Sequence, residues 1–241
     1  DHAPYSQHLQ QMGLAATHLR EVPQSYTAQA FITTDLDDNQ ITAFHPGAMN
    51  FSQQNHVADA EDVSLGIISP DGRDGMLQHA REFHDAGIPF IFDPGQGLPM
   101  FSGEELMDFI GFADYVTVND YEARMLCDRT QRSMTDIGKL VRALVVTKGA
   151  SGSQIHAAGQ IIDIPCVAAR SVVDPTGCGD AYRAGLIHGL NRGWAIDAAC
   201  RLASVMGAIK IESRGGQNHR FSQEEIGARF QQAFGENYAE L

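Results

Sequence analysis

Short apolar runs alternate with helical stretches along this chain, and the alternation constrains the fold more than any other feature of the sequence. Four runs end in polar, glycine or proline residues: Val63–Ile68, Pro89–Phe92, Tyr115–Val118 and Leu144–Thr147. The segments between them have helical spacing, over 75–86, 103–112 and 120–127. Fully apolar strands that alternate with helices are typical of a parallel sheet covered on both faces. We therefore predict an α/β fold with a doubly wound parallel sheet.

Before residue 62 the sequence alternates instead between apolar and polar residues. Two such stretches, 27–34 and 40–44, flank the turn-rich segment 35–39, a pattern that is typical of a β-hairpin with one face in water. Further helices are predicted over 5–13, 180–191, 195–211 and 223–234. Because the sequence has no internal repeat and no long linker, we predict one domain over 1–241. Residues 26–50 form a hairpin and its return segment within that domain.

Charge and cysteine content narrow the classes of function. The net charge of −13 makes the chain a poor candidate for binding the phosphate backbone of a nucleic acid. No apolar run approaches the roughly 18 residues that a membrane span requires. The four cysteines form no C-x-x-C pair, which is typical of the reduced thiols of cytosolic proteins. We expect a cytoplasmic protein that binds neither nucleic acid nor membrane.

The segment Asp174–Asp180, Asp-Pro-Thr-Gly-Cys-Gly-Asp, gives the strongest indication of chemistry. Its two glycines precede a predicted helix, so the backbone can approach a ligand closely, and the free N–H groups of the first turn can bind an anion. Asp180 lies at the same helix start. A base beside an anion hole is what phosphoryl transfer to a hydroxyl requires. An aspartate that only complements the helix dipole is the simpler interpretation, but Asp174 and Thr176 at fixed offsets favour the phosphoryl-transfer site.

Asn119 and Glu122 follow a predicted strand and are three residues apart. That spacing places them on one side of the first helical turn, where they could hold a hydrated magnesium ion, since Mg²⁺ keeps several waters and takes few protein ligands. The same pair is also a variant of the capping box. Both interpretations stay open, and both can be true together.

A glycine-rich turn follows the run that ends at Thr147. Lys148, Gly149 and Gly152 in this turn could lie against the ribose and phosphates of a nucleotide, although the string is equally typical of a β-turn. Residues 213–218 follow a long predicted helix and suit either a helix C-cap or an adenine pocket. The sequence lacks the G-x-x-x-x-G-K-[ST], G-x-G-x-x-G and G-x-S-x-G motifs, which disfavours P-loop, dinucleotide-binding and serine-hydrolase functions.

Taken in order, these motifs resemble those of the ribokinase-like (PfkB) kinases of sugars and nucleosides. Asp174–Asp180 matches the family's D-x-T-G-x-G-D pattern, and Asn119 with Glu122 matches its N-x-x-E motif. Asp93-Pro94 resembles the family's strand-end dipeptide, and the hairpin with its return segment resembles the family's small β-sheet lid. The resemblance implies a ribokinase-like fold and ATP-dependent phosphoryl transfer to an alcohol.

The resemblance also implies a set of site residues. Asp180 is the expected catalytic base, beside an anion hole lined by Gly177, Cys178 and Gly179. The expected ATP-binding residues are Thr147, Lys148, Gly149, Gly152 and Asn218. Asn119 and Glu122 are expected to organise Mg²⁺ through water. The family often binds a monovalent cation, usually K⁺, and the resemblance implies a site for it around Asp174, Thr176 and residues 210–219.

The acceptor is expected to be a nucleoside. Residues 26–34 look most like the lid of bacterial adenosine or broader nucleoside kinases. Gln29 and Phe31 are candidates for contacting the base, since an amide reads purine edges and an aromatic ring stacks on them. Packing within the lid is an equally good interpretation of Phe31. A sugar kinase with a ribose- or fructose-type acceptor is the second hypothesis. A homodimer through the lid is compatible with the family.

The sequence departs from the family pattern at its start. Neither the family's first glycine-rich strand with its substrate-binding aspartate nor its Gly-Gly-x-x-x-Asn motif is found here. We expect that the N-terminal part of the fold is missing from the given sequence. A non-catalytic ligand-binding protein is the alternative if the polypeptide truly begins at Asp1.

Overall fold

The computed structural model describes residues 1–14, 17–34 and 40–237. The chain divides into two compact units, Asp1–Ala113 and Asp114–Leu241, and each is described by itself below. Among the described residues, no helix combines the length and the apolar character that crossing a bilayer requires.

The first unit begins with helix α1, Ala3–Gln11, and the predicted hairpin. Strands β1 and β2, Gln29–Thr34 and Gln40–His45, pair antiparallel with Gln29 opposite His45 and Thr34 opposite Gln40. This confirms the two strands of the hairpin, whereas the predicted turn 35–39 lies outside the described residues. Two short 3₁₀ helices follow, over Gly47–Gln54 and Val57–Asp59.

The rest of the first unit is a parallel strand pair with helices packed on it. Strands β3 and β4, Gly66–Ile68 and Phe90–Phe92, are parallel, and helices α2 and α3 span Arg73–Asp85 and Gly103–Phe112. Phe92 stacks on Phe109 of α3 with ring centroids 4.4 Å apart. All three residues of β4 are fully buried, as expected for a strand covered on both faces.

The second unit continues the alternation of strands and helices. Strands β5 and β6, Tyr115–Asn119 and Ala143–Thr147, are parallel, and β6 pairs antiparallel with β7, which pairs antiparallel with β8. Strands β7 and β8 span Ser153–Ala157 and Gln160–Ile164. The helices of this unit are α4 to α8, over Asp120–Thr130, Met134–Leu140, Cys178–Asn191, Ile196–Ile211 and Gln223–Phe234. The α/β class is confirmed, but the antiparallel strands β7 and β8 and the helix α5 were not predicted.

Helices α6 and α7 cross at very short range because α6 presents glycines to α7. A Cβ atom on Gly185 would lie 2.7 Å from Cα of Ala203, and one on Gly189 would lie 2.6 Å from Cβ of Ala199. Alanine residues of α7 are buried along the contact. This crossing fixes the axis of α6, whose first turn contains the last three residues of the predicted motif, Cys178–Asp180.

Candidate active site

The loop before α6 turns sharply at Gly177. This residue has φ 81° and ψ 5°, a left-handed conformation that favours glycine, and a Cβ atom there would lie 3.1 Å from Cα of Gly216. The N–H of Cys178 donates to the carbonyl of Pro175 at 3.1 Å, which closes the turn. Cys178, Gly179 and Asp180 are the first three residues of α6.

The start of α6 contains the residues that the sequence predicts as an anion hole and a base. Helix geometry leaves the N–H groups of Gly179 and Asp180 without acceptors inside the helix, and both residues are exposed. With the positive end of the helix dipole behind them, they can bind an anion. The Asp180 carboxylate belongs to the same turn. Burial raises the pKa of the Cys178 thiol, so Cys178 remains a neutral thiol at physiological pH.

Asp174 holds the loop together rather than facing solvent as a free acid. One carboxylate oxygen accepts the N–H of Thr176 at 2.9 Å, and the other accepts the N–H of Gly215 at 2.8 Å. The hydrogen bond from Gly215, followed by that from Thr176, lowers the pKa of Asp174 to about 2. The carboxylate therefore stays ionised, and it ties the loop before α6 to the loop after α7.

Lys210 was not predicted from the sequence as an individual site residue, although it lies within the 210–219 stretch. It belongs to the last turn of α7 and is 0% exposed. Its Nζ donates to the carbonyl of Asp174 at 2.9 Å and to the carbonyl of Ser213 at 3.0 Å. A buried ammonium therefore lies directly beneath the predicted motif.

The ends of β5 and β6 bring two further predicted segments together. Asn119 and Thr147 are direct partners across the parallel pair. The motif Asn119–Glu122 therefore lies beside the glycine-rich turn that follows Thr147. Ser153 pairs with Thr147 on the other side, and its Oγ lies 2.7 Å from the hydroxyl of Tyr182. Because Tyr182 is two residues after Asp180, this bond links the start of α6 to the same group of strands.

Asn119 and Glu122 form the capping box that the spacing allowed. The side-chain oxygen of Asn119 accepts the N–H of Glu122 at 2.8 Å, and a carboxylate oxygen of Glu122 accepts the N–H of Asn119 at 2.8 Å. The role of this pair in α4 is therefore structural at the least. Across the described part of the chain, no cluster of three or more His, Cys, Asp or Glu residues is arranged to hold a metal ion.

The glycine-rich turn is a compact connection between β6 and β7. Gly149 and Gly152 have φ 54° and 82°, and the N–H of Lys148 donates to the carbonyl of Gly152 at 2.8 Å. A Cβ atom on Gly152 would lie 2.1 Å from the carbonyl oxygen of Ile164. The turn contains a short 3₁₀ helix, Gly149–Ser151, in which the N–H of Ser151 donates to the carbonyl of Lys148 and that of Gly152 to the carbonyl of Gly149, as in consecutive β-turns. Nucleotide binding by this turn stays a prediction.

Asn218 closes the loop after α7. Its side-chain amide donates to the carbonyl of Arg214 at 3.0 Å. Gly215, whose N–H binds Asp174, has φ 78° in the same loop. The helix C-terminus that the sequence suggested is present here, since α7 ends at Ile211.

The predicted acceptor contacts lie on the hairpin of the first unit. Gln29 is exposed, and Phe31 is 63% exposed. This exposure disfavours packing within the hairpin as the role of Phe31. Asp93 of the strand-end dipeptide is buried at 3% exposure and lies near the hydroxyl of Ser69, 3.4 Å away.

Comparison with known proteins identifies close relatives. A nucleoside kinase of Methanocaldococcus jannaschii is 30% identical over 215 residues, which cover 89% of this chain and 70% of that protein. The structure of Burkholderia thailandensis nucleoside kinase in complex with inosine has 50% sequence identity and a TM-score of 0.95, over 98% of this chain and 78% of that chain. The complex of the same enzyme with ADP-inosine gives a TM-score of 0.94, over 98% and 74%.

The fold inferred from the motifs is also confirmed. The crystal structure of the Methanocaldococcus jannaschii nucleoside kinase, an archaeal member of the ribokinase family, has a TM-score of 0.88 at 28% identity, over 95% of this chain and 76% of that chain. The family model for pfkB family carbohydrate kinases matches residues 3–222. The chain therefore belongs to the pfkB family of carbohydrate kinases and is an ATP-dependent phosphotransferase.

Proposed function

We propose that this chain is a nucleoside kinase that transfers the γ-phosphoryl group of ATP to the 5′-hydroxyl of a purine nucleoside. The observation that supports this most directly is the start of α6, where the exposed residue Asp180 belongs to the same first turn as the amides that open the helix. The 50% identity to an enzyme solved with inosine supports a purine nucleoside as acceptor.

Asp180 is the general base in this proposal. Its carboxylate accepts the proton of the 5′-hydroxyl while the hydroxyl oxygen bonds to the γ-phosphorus. The bond between that phosphorus and the bridging oxygen breaks, and ADP leaves. The N–H groups of Gly179 and Asp180 stabilise the negative charge on the transferring group, because they are fixed in the helix before the reaction begins. The N–H of Cys178 already donates to the carbonyl of Pro175. Within the proposed anion hole of Gly177, Cys178 and Gly179, Cys178 therefore stabilises the turn instead of binding the phosphoryl group.

In this proposal Mg²⁺ would be held as a hydrated ion at the end of β5 and the start of α4. When bound, it neutralises part of the charge of the ATP phosphates. The bond between Glu122 and the Asn119 amide uses one carboxylate oxygen, and a carboxylate has acceptor sites for several hydrogen bonds. In this proposal Asn119 and Glu122 hold the ion through its water ligands, and the capping box keeps both side chains in place.

ATP lies along the glycine-rich turn in this proposal. Thr147, Lys148, Gly149 and Gly152 contact the ribose and phosphates, because the positive-φ glycines of the turn leave its backbone open to close approach. Asn218 belongs to the loop that contacts the adenine. The protein works in the cytoplasm, where ATP and reduced thiols are available.

The two faces of the hairpin have different roles in this proposal. Phe31 and Ile41 lie on one face at 63% and 79% exposure, and Ile32 and Phe44 lie on the other at 54% and 51%. Adjacent strand residues point to opposite faces, and paired residues share a face. Gln29 shares the face of Phe31, so that face contacts the nucleoside base. The face with Ile32 and Phe44 contacts a second copy of the chain in a homodimer.

The proposed function is tested by measuring ADP release with adenosine, inosine, guanosine, cytidine, ribose and fructose as acceptors. We expect turnover with the purine nucleosides. Asp180→Asn should lower turnover roughly 10²–10⁴-fold, the usual contribution of a general base. Asp136→Asn is the matched control, since Asp136 also lies in a first helical turn. Activity on sugars alone would show that the acceptor is a sugar and not a nucleoside. An Asp180→Asn enzyme with unchanged turnover would show that Asp180 is not the general base.

A further inference from the structure

Lys210 is the feature of the site that the proposed mechanism leaves unexplained. The sequence has three lysines, Lys139, Lys148 and Lys210, and only Lys210 is 0% exposed. Burying an ammonium is costly unless the surrounding groups compensate for its lost hydration. The structure therefore has to supply Lys210 with strong acceptors.

Those acceptors are backbone carbonyls from two separate segments. The carbonyl of Ser213 is three residues away, where a cation at a helix C-terminus is ordinary. The carbonyl of Asp174 is 36 residues away in sequence and comes from the loop before α6. Helix capping alone explains the first contact but not the second.

Converging carbonyl oxygens are also how proteins replace the water shell of a potassium ion. The family resemblance implies such an ion around Asp174, Thr176 and the 210–219 stretch. In this chain the Nζ of Lys210 already occupies the position between the carbonyls of Asp174 and Ser213. The carboxylate of Asp174 is engaged by the N–H groups of Thr176 and Gly215. The position between the carbonyls of Asp174 and Ser213, called the cage below, therefore does not fit a potassium ion in addition to the ammonium. Two cations this close together would repel each other.

The ammonium lies close to the turn that starts α6. A Cβ atom on Gly177 would lie 3.5 Å from Cε of Lys210. The lysine thus packs beneath the residue that directs the backbone into the proposed anion hole. A fixed positive charge at this position holds the Asp174 carbonyl and adds to the positive potential at the helix start.

We propose that the Lys210 ammonium permanently replaces the potassium ion of the family's cation site, so that this chain needs no monovalent cation. Lys210 is a positioning residue in this proposal, since it acts through the loop and touches no substrate. The inference concerns the same site as the proposed kinase activity, but the cation requirement can be measured without turnover.

The first test is thermal unfolding at constant ionic strength, with KCl exchanged for tetramethylammonium chloride, whose cation is too large for the cage. The wild type should have the same melting temperature in both salts. Lys210→Ala empties the cage, so KCl should raise its melting temperature by about 2–4 °C, as ligand binding to the folded state does. Lys139→Ala, a surface lysine, should behave as the wild type.

The second test measures turnover in the same two salts. Wild-type turnover should agree within about twofold, whereas Lys210→Ala should lose at least about tenfold in tetramethylammonium and recover several-fold in KCl. Lys210→Met fills the cage without charge, so its loss should not be recovered by KCl. A wild type that is stabilised or activated several-fold by KCl would overturn the proposal, and so would a Lys210→Ala variant that responds to KCl in neither test. If no acceptor is phosphorylated, the proposed kinase activity is wrong. The unfolding test still decides whether Lys210 replaces the potassium ion.

Discussion

At the scale of single residues, the proposed catalytic motif depends on a carboxylate whose hydrogen bonds are structural. Asp174 accepts two backbone N–H groups, from Thr176 and from Gly215. The loop before α6 is thereby fixed to the loop after α7. Because the hydrogen bonds favour the ionised form, the pKa of Asp174 falls from 3.8 to about 2.

This lowered pKa gives a dependence of stability on pH. A group whose pKa is lower in the folded state stabilises the fold fully above its unfolded pKa, and the contribution disappears as the pH falls through the folded pKa. We expect Asp174→Asn to lower the free energy of unfolding at pH 7 and to flatten its decline between about pH 4 and pH 2. Urea unfolding across this range measures both effects.

The exposed Asp108 of α3 provides the control for that experiment. Asp108→Asn removes the same charge from a surface helix, so the pH dependence should stay close to that of the wild type. An identical pH profile for Asp174→Asn and the wild type would contradict the proposed role of the two hydrogen bonds.

Single residues also show where sequence reasoning reaches its limit. The spacing of Gly177 and Asp180 predicted a turn followed by a helix start, because that information is local and depends on residue type. Lys210 was not predicted as an individual site residue because a lysine near the end of a helix usually reaches into solvent. Its partners are backbone carbonyls, which no side-chain pattern encodes. The apolar neighbours Ala208, Ile209 and Ile211 were the available signal.

At the scale of elements, the crossing of α6 and α7 determines the position of the turn that contains the proposed catalytic residue, Asp180. Glycine in a helix interior is normally unfavourable, by about 1 kcal/mol relative to alanine. At Gly185 the cost is offset by the close approach of Ala203. The glycine is therefore a packing requirement of this crossing.

Gly185→Ala should consequently destabilise the protein. The added Cβ would lie 2.7 Å from Cα of Ala203, a backbone atom that cannot move aside alone. The expected overpacking exceeds the gain in helix propensity, so the free energy of unfolding should fall by about 1–2 kcal/mol. Chemical denaturation measures the change.

Gly227 of α8 is the matched control for Gly185. A Cβ atom there meets nothing within 4 Å. Gly227→Ala should therefore stabilise the protein by up to about 1 kcal/mol. Equal effects of the two substitutions would show that propensity, rather than the helix crossing, governs Gly185.

The elements that the sequence predicted share one property, which is a strong and regular apolar pattern. Both parallel strand pairs were predicted because buried strands are apolar throughout. The long helices were predicted because their residues have helical spacing. The hairpin of β7 and β8 was missed because Gln160–Ile164 is mostly exposed, with a mixed pattern. Its turn is built by Ala158 and Gly159 at positive φ, and only the glycine suggests such a conformation from sequence.

At the scale of the whole molecule, phosphate chemistry has to work against the overall charge. The chain has a net charge of −13, so its long-range field repels ATP. In the proposed site the anion is bound by backbone N–H groups and a helix dipole, which act at short range. Salt screens the long-range repulsion far more than it screens contacts within the site.

The affinity for ATP should therefore respond to salt in an unusual way. Raising the ionic strength from about 20 to about 200 mM, with Mg²⁺ in constant excess, shortens the screening length to well below the size of the protein. We expect the KM for ATP to stay within about twofold or to fall, because the screened interaction is repulsive. Initial rates at a saturating nucleoside concentration measure this, with tetramethylammonium chloride as the added salt so that monovalent-ion binding does not contribute. A KM that rises tenfold would mean that exposed arginines and lysines, rather than the start of α6, provide most of the attraction for the phosphates.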